Sequence, residues 1–320
     1  MTEKKRAPQN RTMFLTDIER EKYRMRLLNC ESIKENTIDV TILGDCLKAA
    51  KRIKPKSIDL LILDPPYNLS KLFGDKLFVR KTVGDYTNWL GEVIDCLIPT
   101  LKPDASVYIC SDWYTSSSVY SAAAERLFVR NRITWEREKG RGSKTNWKNS
   151  SEDIWFCTLS KKYVFNLNSI KLKRQVIAPY RNKDGSPKDW SDTDKGKFRD
   201  THPSNLWTDI TIPFWSMPEN TDHPTQKSEK LIAKLILAST NPGGVVFDPF
   251  LGSGTTSVVS KKLGRKYIGV EQEEEYALLA EKRIDAVQEN STIQGYVDGV
   301  FWERNTLNQL NKRTQSESSN

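Results

Sequence analysis

The run Ser57-Ile58-Asp59-Leu60-Leu61-Ile62-Leu63 stops abruptly at Asp64-Pro65-Pro66-Tyr67. A segment so rich in Leu and Ile predicts a strand buried on both faces, as at the centre of a parallel sheet. Two successive prolines, which bring no N–H to a ladder, end it at residue 63. Parallel neighbours need crossover helices, and the chain supplies the alternation. Strand 39–43 leads through Gly44-Asp45-Cys46 into a helix near 47–53, and Trp89, Val93, Ile94 and Leu97 mark a helix over 86–98. Strand 107–110, helix 114–127 and strands 129–135 and 153–159 follow, and then helix 226–239, strand 244–248, helix 254–263 and strand 267–271. This order predicts an α/β fold with a doubly wound, mostly parallel sheet. Such sheets bind ligands beyond the carboxyl ends of their strands, where Asp64-Pro65-Pro66-Tyr67 falls. A carboxylate, a stiff backbone and an aromatic ring suit a flat, polar-edged substrate such as a nucleobase.

A second strand end carries a different chemistry. Val245-Val246-Phe247-Asp248-Pro249-Phe250-Leu251-Gly252-Ser253-Gly254-Thr255-Thr256 reads as a strand, a glycine turn and a helix start. Gly252 and Gly254 let backbone approach a ligand closely, because no Cβ intervenes. The next strand ends in Glu271, 17 residues beyond Gly254, placed to accept from both hydroxyls of a ribose. The phosphate-loop pattern GxxxxGK[ST] is absent, and Ser257 stands where a dinucleotide fingerprint needs its third glycine. No basic residue within 247–256 faces a pyrophosphate. A nucleoside without a polyphosphate tail fits, and S-adenosylmethionine is one.

The charge balance points to the partner. The net charge of +9 is carried by residues 129–197, with 17 Lys or Arg against 8 Asp or Glu, and the remainder is neutral. Trp135, Trp147, Trp155 and Trp190 lie in the same window, as does the loop sequence Gly140-Arg141-Gly142-Ser143-Lys144. Basic charge beside a cleft is the footprint of a nucleic acid, with Arg137, Lys139, Arg141, Lys144 and Lys148 as contacts. Five scattered cysteines and two histidines form no metal-ligand spacing, so no metal site is expected. No apolar run reaches the roughly 18 residues of a membrane span. The N-terminus has no secretory pattern, and cytoplasmic placement is the expectation.

Residues 166–222 break the strand–helix rhythm, yet Trp190, Trp207, Ile210 and Phe214 give them apolar anchors. They read as an inserted recognition region. The expected organisation is a basic, loosely held arm over 1–30 and a catalytic half over 31–165. The insert over 166–222, a cofactor half over 223–290 and a peripheral tail over 291–320 complete it.

The three motifs Asp64-Pro65-Pro66-Tyr67, Asp248-Pro249-Phe250-Leu251-Gly252-Ser253-Gly254-Thr255-Thr256 and His223-Pro224-Thr225-Gln226-Lys227 together resemble those of the DNA amino-methyltransferases of restriction–modification and regulatory systems. With the catalytic motif ahead of the cofactor motif, the chain is similar to the circularly permuted β-class. The resemblance implies the S-adenosylmethionine-dependent methyltransferase fold with a target-recognition insert. It implies that Asp248, Phe250, Gly252, Ser253, Gly254 and Thr255 cradle the cofactor and that Glu271 holds its ribose. Thr225 and Lys227 map to its methionine end, Asp64 to the methionine amino group, and Asp45 with Cys46 to a strand end facing its adenine. Double-stranded DNA is the implied partner, and the family also admits a homodimer and a cognate restriction endonuclease acting on the same site.

An exocyclic amine is a poor nucleophile because its lone pair is delocalised into the ring. The Asp64 carboxylate and the Pro65 carbonyl can accept its hydrogens and aim that lone pair, in a backbone stiffened by Pro66. Tyr67 offers a stacking face for a base flipped from the duplex. A second face falls to Trp155 or Phe156, between which the sequence does not choose. Aspartate at the head of the motif favours adenine N6 as the target. Cytosine N4 is the nearest alternative, and a catalytically silent DNA binder on the same fold is the alternative from another class.

Overall fold

The structure is a computed structural model that describes residues 7–73, 76–137, 144–176, 180–193 and 196–303. Its centre is the strand Ile58–Leu63, in which Leu60, Leu61, Ile62 and Leu63 are at most 1% exposed. Leu61 and Leu63 face one hydrophobic core, and Leu60 and Ile62 face another on the opposite side of the sheet. Full burial of each such side chain stabilises by roughly 1.5–3 kcal/mol, so this strand organises both layers. The single charge within it, Asp59, is held by Lys102 at 2.7 Å and accepts from the Val245 N–H at 2.8 Å.

Among the described residues, nine strands make the main sheet. Across it run Leu28–Asn29, Val40–Leu43, Lys266–Glu271, Val245–Asp248, Ile58–Leu63, Leu101–Asp112, Ser151–Thr158, Phe128–Glu136 and Leu206–Trp207. All pairings are parallel except the two made by Ser151–Thr158, which runs against its neighbours. Helices Cys46–Ala50, Val83–Leu97 and Ser116–Ala124 cover one face, and helix Glu229–Ser239 packs on the other. The expected doubly wound, mostly parallel sheet is therefore present. The strand expected over 107–110 extends over Leu101–Asp112, because Lys102, Pro103 and Asp104 join it without adding an apolar pattern.

Two segments, one within 7–30 and one within 291–303, depart from expectation. Within the arm at 1–30, Asp17–Arg24 is a helix closed by a Thr16–Glu19 capping box. It docks on helix Glu274–Asp285 through Arg20–Glu275, Arg24–Glu274 and the Lys22 and Arg26 pairs with Asp285. In the second segment, Tyr296–Val297 and Val300–Trp302 are not peripheral. They complete a five-stranded sheet with Leu172–Gln175, Ser191–Thr193 and Gly196–Thr201 of the insert, and Phe301 is fully buried. Among the described residues, no helix is long and apolar enough to cross a membrane.

Candidate active site

Parallel neighbours bring the ends of Ile58–Leu63, Val245–Asp248 and Lys266–Glu271 to one edge of the sheet. There a cavity of about 600 Å³ is bounded by Asp64, Pro65, Pro66 and Tyr67 on one side and by Phe250, Gly252 and Glu271 on another. The buried Tyr86 hydroxyl donates to the Pro66 carbonyl at 3.0 Å and so pins the diproline turn. Asn68, also buried, exchanges two hydrogen bonds with the Lys81 backbone and ties down both ends of the excursion between them.

The Asp64 carboxylate is already engaged. Lys227 Nζ donates to its Oδ2 at 2.6 Å, and the Tyr67 hydroxyl lies 3.2 Å from its Oδ1. Lys227 is 8% exposed, and its neighbouring carboxylates hold its ammonium above the usual lysine range despite burial. Burial, with Asp64 and Glu152 alongside, holds the Tyr67 phenol well above its ordinary value, so it stays a hydroxyl. The family resemblance assigns Lys227 to the methionine end of the cofactor. In this structure its nearest partner is Asp64.

At the glycine turn, Glu271 accepts from the N–H groups of Gly252, Gln272 and Glu273 at 2.7–2.9 Å. Burial raises its pKa, while these donors favour the charged form. A Cβ on Gly252 would stand 2.9 Å from His223 Nε2, so the missing side chain is what keeps turn and imidazole in contact. Burial pushes His223 down to about 4, leaving a neutral ring edge-on to Tyr276. Phe78 and Trp89 add aromatic surface, with Trp89 edge-on to Phe250 at 6.5 Å.

Residues 58–282 match the family described as DNA methylase. The chain belongs to that family. It is 33% identical over 251 residues to the type II methyltransferase M.HpaI of Haemophilus parainfluenzae, covering 77% of this chain and 74% of the relative. It is 32% identical over 270 residues to the DNA adenine methyltransferase YhdJ of Escherichia coli strain K12, covering 82% and 88%. The M1.HpyAVI–SAM complex superposes with a TM-score of 0.53 at 25% identity, over 77% of this chain and 98% of that one. The cytosine-N4-specific PvuII DNA methyltransferase superposes with a TM-score of 0.59 at 17% identity, over 88% and 94%, a likeness of fold alone.

As a member of the DNA methylase family, the chain is an S-adenosylmethionine-dependent DNA methyltransferase. The residues present fit this cofactor: the aromatic faces would take its adenine, the Glu271 carboxylate its ribose hydroxyls, and Thr225 and Asp64 its polar methionine end. Bound there, it supplies an electrophilic methyl group. Of the residues expected to touch it, Phe250, Gly252, Glu271, Asp64, Thr225 and Lys227 line the cavity.

The others stand behind that lining. Asp45 caps helix Cys46–Ala50 by accepting from the Leu47 and Lys48 N–H groups, and it meets the lining residue Gln272 at 3.3 Å. Cys46 is a core residue whose thiol burial pushes up to about 12. Asp248 accepts from the Thr256 hydroxyl and the Phe250 N–H, and burial raises it to about 7. Ser253, Gly254 and Thr255 form the back of the turn, where Arg283 donates to the Ser253 carbonyl and the Thr255 hydroxyl, each at 2.9 Å.

Neither Trp155 nor Phe156 lines the cavity. Phe156 stacks on Tyr108 in the core at 4.9 Å, and Trp155 faces the opposite side, donating to Ser116 and packing on Tyr120. Strand Ser151–Thr158 runs antiparallel, so its beginning, not its middle, reaches the ligand edge. Glu152 occupies that position, with Oε2 3.2 Å from the Tyr67 hydroxyl, and no sequence motif marks it. Trp89 was legible only as an apolar position of its helix. Of the basic contacts, Arg137 ion-pairs with Glu152, and Lys144 and Lys148 are exposed. Lys139 and Arg141 lie outside the described residues.

Glu271→Gln should weaken cofactor affinity about tenfold or more, since charge-assisted hydrogen bonds contribute roughly 1.5–3 kcal/mol. Titration calorimetry checks this, and unchanged affinity would remove Glu271 from the ribose site.

Proposed function

We propose that this DNA methyltransferase acts site-specifically on the exocyclic N6 amino group of an adenine flipped out of duplex DNA. The observation that carries the reading is the aspartate at the head of the motif, held at the cavity wall beside the cofactor turn. The likeness to the DNA adenine methyltransferase YhdJ, which aligns over 88% of its length, supports it. Asp64 and the Pro65 carbonyl accept the amine hydrogens and point its lone pair at the methyl group. Tyr67, itself fixed by Asp64 and Glu152, packs against the base. Catalysis is then alignment and electrostatic preorganisation, with no covalent enzyme intermediate. A base inside the duplex stack cannot present its amine to this recessed wall, so extrusion is required.

Duplex DNA methylated with labelled cofactor and digested to nucleosides tests the assignment. N6-methyladenine is expected, and N4-methylcytosine would overturn it. Basic residues of the segment 137–148 supply phosphate contacts, and the insert sheet reads the sequence. Replacing Lys144 and Lys148 with Gln should lower the logarithmic salt slope of DNA binding by about 2, one per lost phosphate contact. Filter binding across a salt series measures it, and an unchanged slope would exclude both lysines.

A further inference from the structure

Glu152 joins the groups that surround Asp64. Strand alternation puts it on the same face as Ile154 and Phe156, both core residues, so an apolar side chain would continue the pattern. Its side chain is 6% exposed, and a buried charge persists only when paired. The pairing is specific: Oε1 meets Arg137, while Oε2 lies 3.2 Å from the Tyr67 hydroxyl and 3.6 Å from Lys227 Nζ. Asp64 holds the same two groups, at 3.2 Å and 2.6 Å. Two carboxylates therefore bracket one ammonium and one hydroxyl, and the hydroxyl has a single hydrogen to donate.

For Asp64 to accept strongly from a substrate amine, its hold on Lys227 must loosen. Lys227 is too buried to turn to water, and among the described residues Glu152 is the other carboxylate it pairs with. We propose that Glu152 is a positioning residue for methyl transfer, taking over the Lys227 ammonium and the Tyr67 hydroxyl hydrogen bond when Asp64 turns to the substrate amine. Arg137 keeps the far oxygen of Glu152 in place. Its own N–H donates to the Ser150 carbonyl at 2.6 Å, next to the paired residues Glu136 and Ser151. The inference rests on the reading of Asp64 as the amine's acceptor.

The test is single-turnover transfer of labelled methyl to duplex DNA, at saturating DNA and cofactor, counted whichever base receives the label. Glu152→Gln should slow the step about 10- to 100-fold, a loss typical of disturbed preorganisation, with cofactor affinity changed less than about twofold. Glu152→Asp should recover much of the rate. In a Lys227→Met background the Gln substitution should have little further effect, because its target is gone. Arg137→Met should slow the same step by a smaller factor while the protein stays folded. A near-wild-type rate for Glu152→Gln, an equal loss in both backgrounds, or a parallel fall in cofactor affinity would overturn the proposal. A different methylated base leaves these comparisons intact; turnover by Asp64→Ala would sink the acceptor reading and the inference with it, whereas the Glu152 outcomes above would sink the inference and leave that reading standing.

Discussion

Asp64→Ala should abolish methyl transfer, lowering the single-turnover rate constant by about three orders of magnitude or more while nonspecific DNA affinity persists. Removing one preorganised electrostatic partner of a reaction centre costs about 10²–10³ in rate. Asp64 is additionally the partner of Lys227, so the alanine leaves a buried ammonium facing Glu152 at 3.6 Å in place of a 2.6 Å contact. Breaking a buried pair outright costs about 3–5 kcal/mol, and the second carboxylate should reduce that to roughly half. A folded, moderately destabilised and inactive enzyme is the expected phenotype. Asp64→Asn separates the contributions, since it keeps the shape and an acceptor oxygen but removes the charge. Label transfer, a melting curve and a DNA titration on the same samples decide the matter. Near-wild-type turnover in the alanine variant would show that the motif's carboxylate is structural.

What could be read from the sequence followed from how locally each feature is encoded. The strand Ile58–Leu63 was recognisable because both faces are buried, which writes a continuous apolar run, and because two prolines close it. The glycine turn and Glu271 were equally visible, since each lies at a strand end whose chemistry is carried by adjacent residues. The insert was not. Ser191–Thr193 is wholly exposed, and its sheet is joined by Val300–Trp302 from far along the chain, a pairing that no local pattern announces. Glu152 escaped for a related reason: its role comes from the reversed direction of one strand, which periodicity leaves undetermined. The same reversal removed Trp155 and Phe156 from the site. A period of two places them on opposite faces, but it does not say which end of the strand meets the ligand.

The backbone behind the cofactor turn yields the other large effect. Gly254→Ala should destabilise the fold by about 3 kcal/mol and eliminate measurable cofactor binding. Gly254 has φ +84°, a left-handed conformation that costs an alanine roughly 1–2 kcal/mol. Its Cβ would also stand 2.5 Å from Ala280 Cβ and 2.8 Å from Ala280 Cα, inside helix Glu274–Asp285. Backbone cannot swing aside as a side-chain tip can, so overpacking adds roughly 1–3 kcal/mol. That helix also carries Arg283, which holds the Ser253 carbonyl and the Thr255 hydroxyl. Pushing it back loosens both sides of the turn at once. Gly252→Ala makes the informative contrast, because its Cβ at φ +56° would first meet the His223 ring, a side chain, at 2.9 Å from Nε2. It should lose less stability yet still impair cofactor binding, as the new methyl enters the cavity wall. Calorimetric melting and cofactor titration of the two variants separate a turn set by packing on the helix from one set by the ligand. If Gly254→Ala melted like the wild type, the close approach to Ala280 would not be what shapes this site.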